Sequence, residues 1–508
     1  MADVLFGQSY FLRFDPKLWR AMQPYPPLGT LLAAAQLRER GHAVSLFDAM
    51  LAGSEAEWDE ALARTGARYA VLYEDSFNYL SKMCLSRMRQ AALAMIRMAR
   101  SRGCTVLVCG SDATDHAPGY LDAGAHFVLA GEGEATLAEL MDRLAGRSQT
   151  PYEGIAGLVF RGTHGEAVRT PPRPVLRDLD ALPLPAWDLV DVERYRDLWR
   201  RRHGYYSMNM VTTRGCPYHC NWCAKPIWGQ TYNSRSPEHV VAELVHLKRT
   251  YRPDHVWFAD DIIGLKPGWL PRFAELVEAN DARVPFKCLS RADLLLRPGE
   301  IEALRRAGCR IVWIGAESGS QRILDAMEKG TRVEQIREAA RRLREAGVGV
   351  GFFLQFGYPG EGLEEVAATR RLLRECVPDE IGVSVSYPLP GTRFFERVKG
   401  QLGSKRNWVD SDDMDMLYAG PFDTRFYRSL HVVVRKEFAR DRAVRELRAR
   451  SGALRPRDLH RGLSLLFHAL TLPLARLRLR YRALVSRREE LGLEPDLTPD
   501  EAAQPAPQ

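Results

Sequence analysis

The 508-residue chain contains no run of about eighteen uncharged apolar residues, so no ordinary membrane-spanning helix is expected. Its first residues lack the basic and apolar regions of a signal peptide, and a cytoplasmic location is expected. It has no disulfide framework either. Six of its nine cysteines, Cys84, Cys104, Cys109, Cys288, Cys309 and Cys376, are scattered singly among apolar neighbours, as in a reducing compartment. There is no internal repeat and no recognisable nucleic-acid motif. The net charge of +8 therefore reads as solvated helix surface, much of it in the final hundred residues, rather than as a nucleic-acid footprint. Hydrophobic residues at 45% and charged residues at 27% match ordinary globular usage, and the length implies two or three domains.

The remaining three cysteines stand together. Cys216, Cys220 and Cys223 form a C-x3-C-x2-C run that offers three thiolates and no fourth. Structural zinc sites close with four ligands. Three thiolates suit a cubic iron–sulfur cluster with one iron left open.

Along the chain, apolar runs at residues 4–6, 43–47, 69–73, 105–109 and 126–129 read as strands. They alternate with helical spacing at 31–40, 55–65 and 82–100. This is a doubly wound α/β pattern over residues 1–148, whose ligands bind beyond the carboxyl ends of its strands. A hairpin at 158–165 and a proline-rich stretch make 149–195 a connection. Six further strands are expected at 208–213, 255–259, 286–290, 311–315, 349–355 and 381–387. They make 196–400 a partial (β/α)6 barrel, in which reactive residues follow strand ends. The cysteines follow its first strand. Residues 401–490 read as mostly helical and 491–508 as a disordered tail. The apolar and arginine-rich segment 463–484, interrupted by Pro473, could lie on a membrane surface, though packing on the barrel is the expectation. Trp408, Tyr418 and Phe422, near an acidic run, could cap the barrel or simply pack.

A C-x3-C-x2-C run after the first strand of six βα units resembles the radical S-adenosylmethionine (SAM) superfamily. With the α/β domain in front, it resembles the cobalamin-binding branch over residues 1 to about 400. The resemblance implies that Cys216, Cys220 and Cys223 hold a [4Fe–4S] cluster whose open iron binds SAM. Reductive cleavage of SAM then gives a 5′-deoxyadenosyl radical. Trp222 matches an aromatic position beside the adenine, with core packing as the plain alternative. Asp260 or Asp261 would receive the SAM amino group, or else form a solvated or capping pair. Ser290 and Arg291 resemble contacts to the SAM carboxylate or ribose, and Glu317 another SAM position. Gly357 and Pro359 lie in an adenine-side turn. Taken singly these are weak signals; five in order on successive strands carry the resemblance.

The N-terminal region departs from the branch. Residues 7–15 contain no histidine where many cobalamin domains supply a lower cobalt ligand, and His116 has the wrong spacing for it. Corrin contacts are expected instead from strand-end loops, with Gly29, Ser111, Gly131 and Glu132 as candidates. The resemblance implies cobalamin-dependent methylation of an unactivated carbon or a phosphorus in a small-molecule substrate, with flavodoxin or ferredoxin as electron donor. The alternatives are radical cyclisation or rearrangement, a methylthiotransferase (disfavoured because no second cysteine set fits), and a non-catalytic iron–sulfur or corrin sensor.

Overall fold

The computed structural model describes residues 3–225, 227–448 and 456–490. Seven strands form the first sheet: β1 (Val4–Gly7), β2 (Val44–Leu46), β3 (Tyr69–Tyr73), β4 (Thr105–Cys109), β5 (Phe127–Leu129), β6 (Leu158–Arg161) and β7 (Ala167–Arg169), in the order 2-1-3-4-5-6-7. The first five run parallel. Every residue of β1, β3 and β5 is buried, as expected of strands covered by helices on both faces. Strands β6 and β7 add antiparallel at the edge, so the hairpin read as connection belongs to this sheet.

The second sheet contains β8 (Ser207–Met210), β11 (His255–Phe258), β12 (Phe286–Ser290), β13 (Cys309–Glu317), β14 (Gly349–Phe356) and β15 (Glu380–Val385). All are parallel, in the order 15-14-13-12-11-8, with β8 and β15 at unpaired edges: an open half-barrel. A small antiparallel ribbon, β9 (Thr213–Arg214) with β10 (Asn233–Ser234), closes the base of the cysteine loop.

One apolar core joins the half-barrel to helices and loops of the N-terminal region, while the two faces of the first sheet pack in separate cores. At the amino end of the barrel strands, the loop before helix Leu28–Glu39 inserts. The Tyr25 hydroxyl lies 3.0 Å from Ser207 Oγ, and Asn209 Nδ2 donates to the Pro26 carbonyl at 3.0 Å.

Two differences from the sequence reading concern helices. Residues 82–100 do not form one helix. Tyr79–Met83 ends at Cys84, whose left-handed backbone caps it, and Ser86–Ser101 begins anew. The Ser86 amide donates to the Trp408 carbonyl at 2.9 Å, so a strap 400 residues into the chain sets this break. That strap also places the Trp408 ring 4.5 Å from Tyr387 and pairs Arg20 with Asp412 at 2.5 Å, tying barrel to first sheet. The second difference lies at the end. Pro456–Glu490 is continuous through Pro473 and packs on helix Thr424–Arg448, leaving its other apolar face bare rather than set against the barrel. The expected disorder of 491–508 falls outside the described residues.

Candidate functional site

The cysteine loop leaves the half-barrel through Gly215, whose φ of +81° favours glycine, and where a Cβ would lie 2.4 Å from the Thr231 carbonyl oxygen. Asp260, at the end of β11, holds the start of the loop. Its carboxylate accepts from the Thr212 and Thr213 amides at 2.7 and 2.6 Å and from both threonine hydroxyls at 3.0 Å. The far side hangs on Asn221. Its amide donates to the Met327 carbonyl at 3.1 Å, its carboxamide oxygen accepts from Tyr358 at 2.8 Å, and its carbonyl accepts from the Phe394 amide at 3.0 Å. Between these anchors the three thiols are half-buried.

The other strand ends surround the loop. Ser290 is buried and donates to the Ile263 carbonyl at 3.3 Å. Arg291 donates to the Lys329 carbonyl at 3.0 Å and lies 3.5 Å from the centre of the Tyr218 ring in the cysteine loop. Glu317 closes β13 at φ +54° beside a bulge and pairs with Lys329 at 2.8 Å, both groups buried. Gly315 makes room for that pair: a Cβ there would sit 2.6 Å from Lys329 Nζ. Lys329 also lies 5.9 Å from the Trp222 ring, whose indole nitrogen is buried without a partner. Trp222 packs on the small core of Ile323, Met327 and Tyr358. Gly357 takes φ +81°, and its carbonyl accepts from the Tyr418 hydroxyl. Its amide donates to buried Glu361, whose second oxygen has no partner. Pro359 continues the turn, half-exposed.

The carboxyl ends of the first sheet face this loop. Phe77 stacks on Trp228 at 5.1 Å, and Lys82 pairs with Asp261 at 2.6 Å. Arg214, one residue before the Gly-Cys turn, forms buried ion pairs with Glu132 and, at 2.7 Å, with Glu134. Glu132 also accepts from the Leu176 amide. Gly29 donates to Asp75 at 3.0 Å, Ser111 to the Lys82 carbonyl at 2.8 Å, and the Gly131 amide to Thr114 Oγ1 at 3.0 Å. In the loop after β1, where a histidine is missing, Gln8 bonds to Tyr10 through both ends of its carboxamide and the Ser9 amide donates to Glu74. His116 sits apart, half-exposed beside Asp112.

The electrostatics follow from burial. Asp260 is pushed up to about 6 by burial, opposed by its threonine donors. Glu74 and Asp75 rise to about 7 and 6 for the same reason. Burial raises the Cys216 thiol, and raises Cys223 to about 12 with help from Asp261 and Cys220. Three neighbouring thiols in such surroundings ionise together only with a cationic group among them. Among the described residues no three His, Cys, Asp or Glu side chains converge as a single-ion site requires. An iron–sulfur cluster makes no such demand, because each thiolate meets its own iron. The donor set fits a cluster and not a closed zinc site.

The sequence singles out most of these groups but not Lys329 or Lys82, and it gives Arg214 no role. Lys329 has no local signature; only the fold brings it to Glu317.

The sequence profile described as the Radical SAM superfamily matches residues 210–373. Residues 210–373 are therefore a radical SAM domain, running from the end of β8 through β14 and most of the helix Leu363–Cys376. The chain is 30% identical over 285 residues to an uncharacterised methyltransferase of Pyrococcus horikoshii, covering 55% of this chain and 60% of that protein. It is 27% identical over 330 residues to the anaerobic magnesium-protoporphyrin IX monomethyl ester cyclase of Synechocystis, covering 63% of this chain and 62% of the cyclase. These matches span about three fifths of each relative's length. The structure of the cobalamin-dependent SAM radical enzyme OxsB, with aqua-cobalamin and SAM bound, shares the fold with a TM-score of 0.68. That match covers 92% of this chain and 72% of OxsB at 17% identity.

Proposed function

We propose that this protein is a radical SAM enzyme that methylates an unactivated carbon, or a phosphorus, of a small biosynthetic substrate with the help of cobalamin. One arrangement carries the reading: a three-thiol loop leaves the first strand of a half-barrel, with the carboxyl ends of a doubly wound sheet facing it. In this reading Cys216, Cys220 and Cys223 would hold a [4Fe–4S] cluster, the barrel strand ends would bind SAM, and the strand-end loops of the first sheet would bind the corrin. When bound, these groups supply the electron that cleaves SAM to methionine and a 5′-deoxyadenosyl radical, and a methyl carrier.

The chain's own residues perform the rest. Asp260 positions the cysteine loop through Thr212 and Thr213. The Glu317–Lys329 pair and Arg291 present fixed charge beside Trp222 and Tyr218, on the side where a zwitterionic amino acid moiety needs both signs. Trp222 and the Gly357–Pro359 turn supply the flat, apolar side that suits an adenine. The first sheet closes over the loop and excludes water from a reactive centre. With no histidine at 7–15, the strand-end loops around Gly29, Ser111 and Gly131 are the groups that would hold the corrin. Glu132 serves through its pairing with Arg214. The reductant is a flavodoxin or ferredoxin, and the location the cytoplasm.

The similarity to the magnesium-protoporphyrin ester cyclase supports a second reading, radical cyclisation without methyl transfer. Anaerobic reconstitution with iron, sulfide and cobalamin, then reduction in the presence of SAM, separates them. 5′-Deoxyadenosine together with S-adenosylhomocysteine supports methylation, and deoxyadenosine alone the cyclase reading. No deoxyadenosine above a Cys220→Ala control rejects both.

A further inference from the structure

The last helix, Pro456–Glu490, has two apolar faces. One is used within the chain. Leu472, Leu479 and Ala483 are buried against helix Thr424–Arg448 and its surroundings, where Lys436 donates to Thr471 at 2.7 Å and Arg476 pairs with Glu437 at 2.6 Å. The opposite face is open. Leu463, Leu466, Leu470, Leu474, Leu477 and Leu484 recur at helical spacing, each between 56% and 70% exposed. Eight of the thirteen large apolar side chains exposed among the described residues lie on this helix, the six leucines with Phe467 and Tyr481. Monomeric proteins rarely leave so continuous an apolar surface to water.

The charge around the stripe selects its occupant. From Leu463 to Ser486 there is no aspartate or glutamate, and there are four arginines, at 476, 478, 480 and 482. At 100° per residue, exposed Arg478 and Arg480 border the stripe on its two sides. The stripe runs about 30 Å, at about 1.5 Å per residue. The helix cannot cross a bilayer: none in the structure is long and apolar enough, and its inner face is engaged by the neighbouring helix. An apolar face bordered by arginines, on a helix lying flat, matches the interface of an anionic membrane. A second copy packed stripe against stripe would offer the arginines no carboxylate from this segment.

We propose that this stripe seats the protein on an anionic lipid surface, with the leucines in the acyl boundary and Arg478 and Arg480 among the lipid phosphates. The full chain is floated with vesicles of phosphatidylcholine alone, or of phosphatidylcholine and phosphatidylglycerol in equal parts. Sedimentation velocity reports its oligomeric state. The expected result is flotation with the anionic vesicles, weakened by salt, and little with the neutral ones. Leu470→Glu with Leu477→Glu lowers the bound fraction at limiting lipid about tenfold or more. Arg478→Glu with Arg480→Glu abolishes the anionic preference. Both variants point away from the packed face, and an unchanged circular dichroism spectrum and urea midpoint establish that they are folded. Flotation of the leucine variant equal to the parent's overturns the proposal, as does no flotation of the parent. So does a parent dimer that the leucine substitutions turn into a monomer without any lipid binding, which assigns the stripe to a second copy.

Discussion

Replacing Arg214 by methionine tests how the cysteine loop is locked to the first sheet. The side chains of Arg214, Glu132 and Glu134 are 3%, 6% and 8% exposed, so two carboxylates share one guanidinium out of water. Arg214 also lies 5.6 and 5.8 Å from the centres of the stacked Phe77 and Trp228 rings. Methionine keeps most of the apolar stem but leaves both carboxylates without a cation. Removing one partner of a buried pair costs about 3–5 kcal/mol, and losing the cation–π contacts adds about 1 kcal/mol. A loss of about 4–6 kcal/mol is expected at pH 8. The loss depends on pH. Burial raises Glu132, and Arg214 pulls it back down. Without the arginine its folded pKa rises further above the unfolded value. Stability from such a group is present at low pH and lost as pH rises through the folded pKa, so the penalty shrinks toward pH 5.5. Urea unfolding followed by tryptophan fluorescence, at pH 5.5 and 8, measures both. The triple variant Arg214→Met, Glu132→Gln, Glu134→Gln should recover most of the loss, because amides need no counter-charge. A single variant within about 1 kcal/mol of the parent at pH 8 refutes the reasoning, as does a penalty equal at both pH values. If Arg214→Met cannot be purified, Arg214→Lys gives the milder version of the same trend.

Asp260→Ala removes the acceptor of four hydrogen bonds and should cost about 2–4 kcal/mol by urea unfolding. It should also lower iron retained per chain after reconstitution, while Asp261→Ala, which removes the Lys82 ion pair at a partly exposed carboxylate, changes stability little. Glu361 is pushed up to about 8 by burial, against the Gly357 amide that stabilises its charge. Its favourable contribution is full below the unfolded carboxylate range and is lost as pH rises through about 8, with a slope of about 1.4 kcal/mol per pH unit between the two. Glu361→Gln should remove that slope between pH 6 and about 8 in a urea titration. Lys329→Met leaves Glu317 buried and unpaired, a loss of about 3 kcal/mol that Glu317→Gln in the same chain largely reverses.

Much of the architecture was legible because strand period and βα alternation are local signals. Residues 69–73 and 105–109 were read as strands and are β3 and β4 with those bounds. The break at Cys84 was not legible, because its cause is a carbonyl from Trp408. Nor was the bare face of the last helix. A leucine repeat looks the same whether a neighbour covers it or not. Asp260 and Asp261 are indistinguishable as adjacent letters; the structure gives one four internal donors and sends the other to Lys82 on the helix Tyr79–Met83.

The sequence by itself determined where three thiols would stand: on a short loop after the first strand of a parallel series, with spacing that admits no fourth ligand. Spacing within eight residues is set by covalent geometry and needs no tertiary contact. The tertiary structure alone decided what surrounds that loop. Glu132 and Glu134 reach Arg214 across about eighty residues, and Lys329 reaches back to Glu317 past the helix Gln321–Ala326. Buried charge is tolerated only where a distant partner arrives to meet it, and which partner arrives is settled by packing rather than by sequence neighbours.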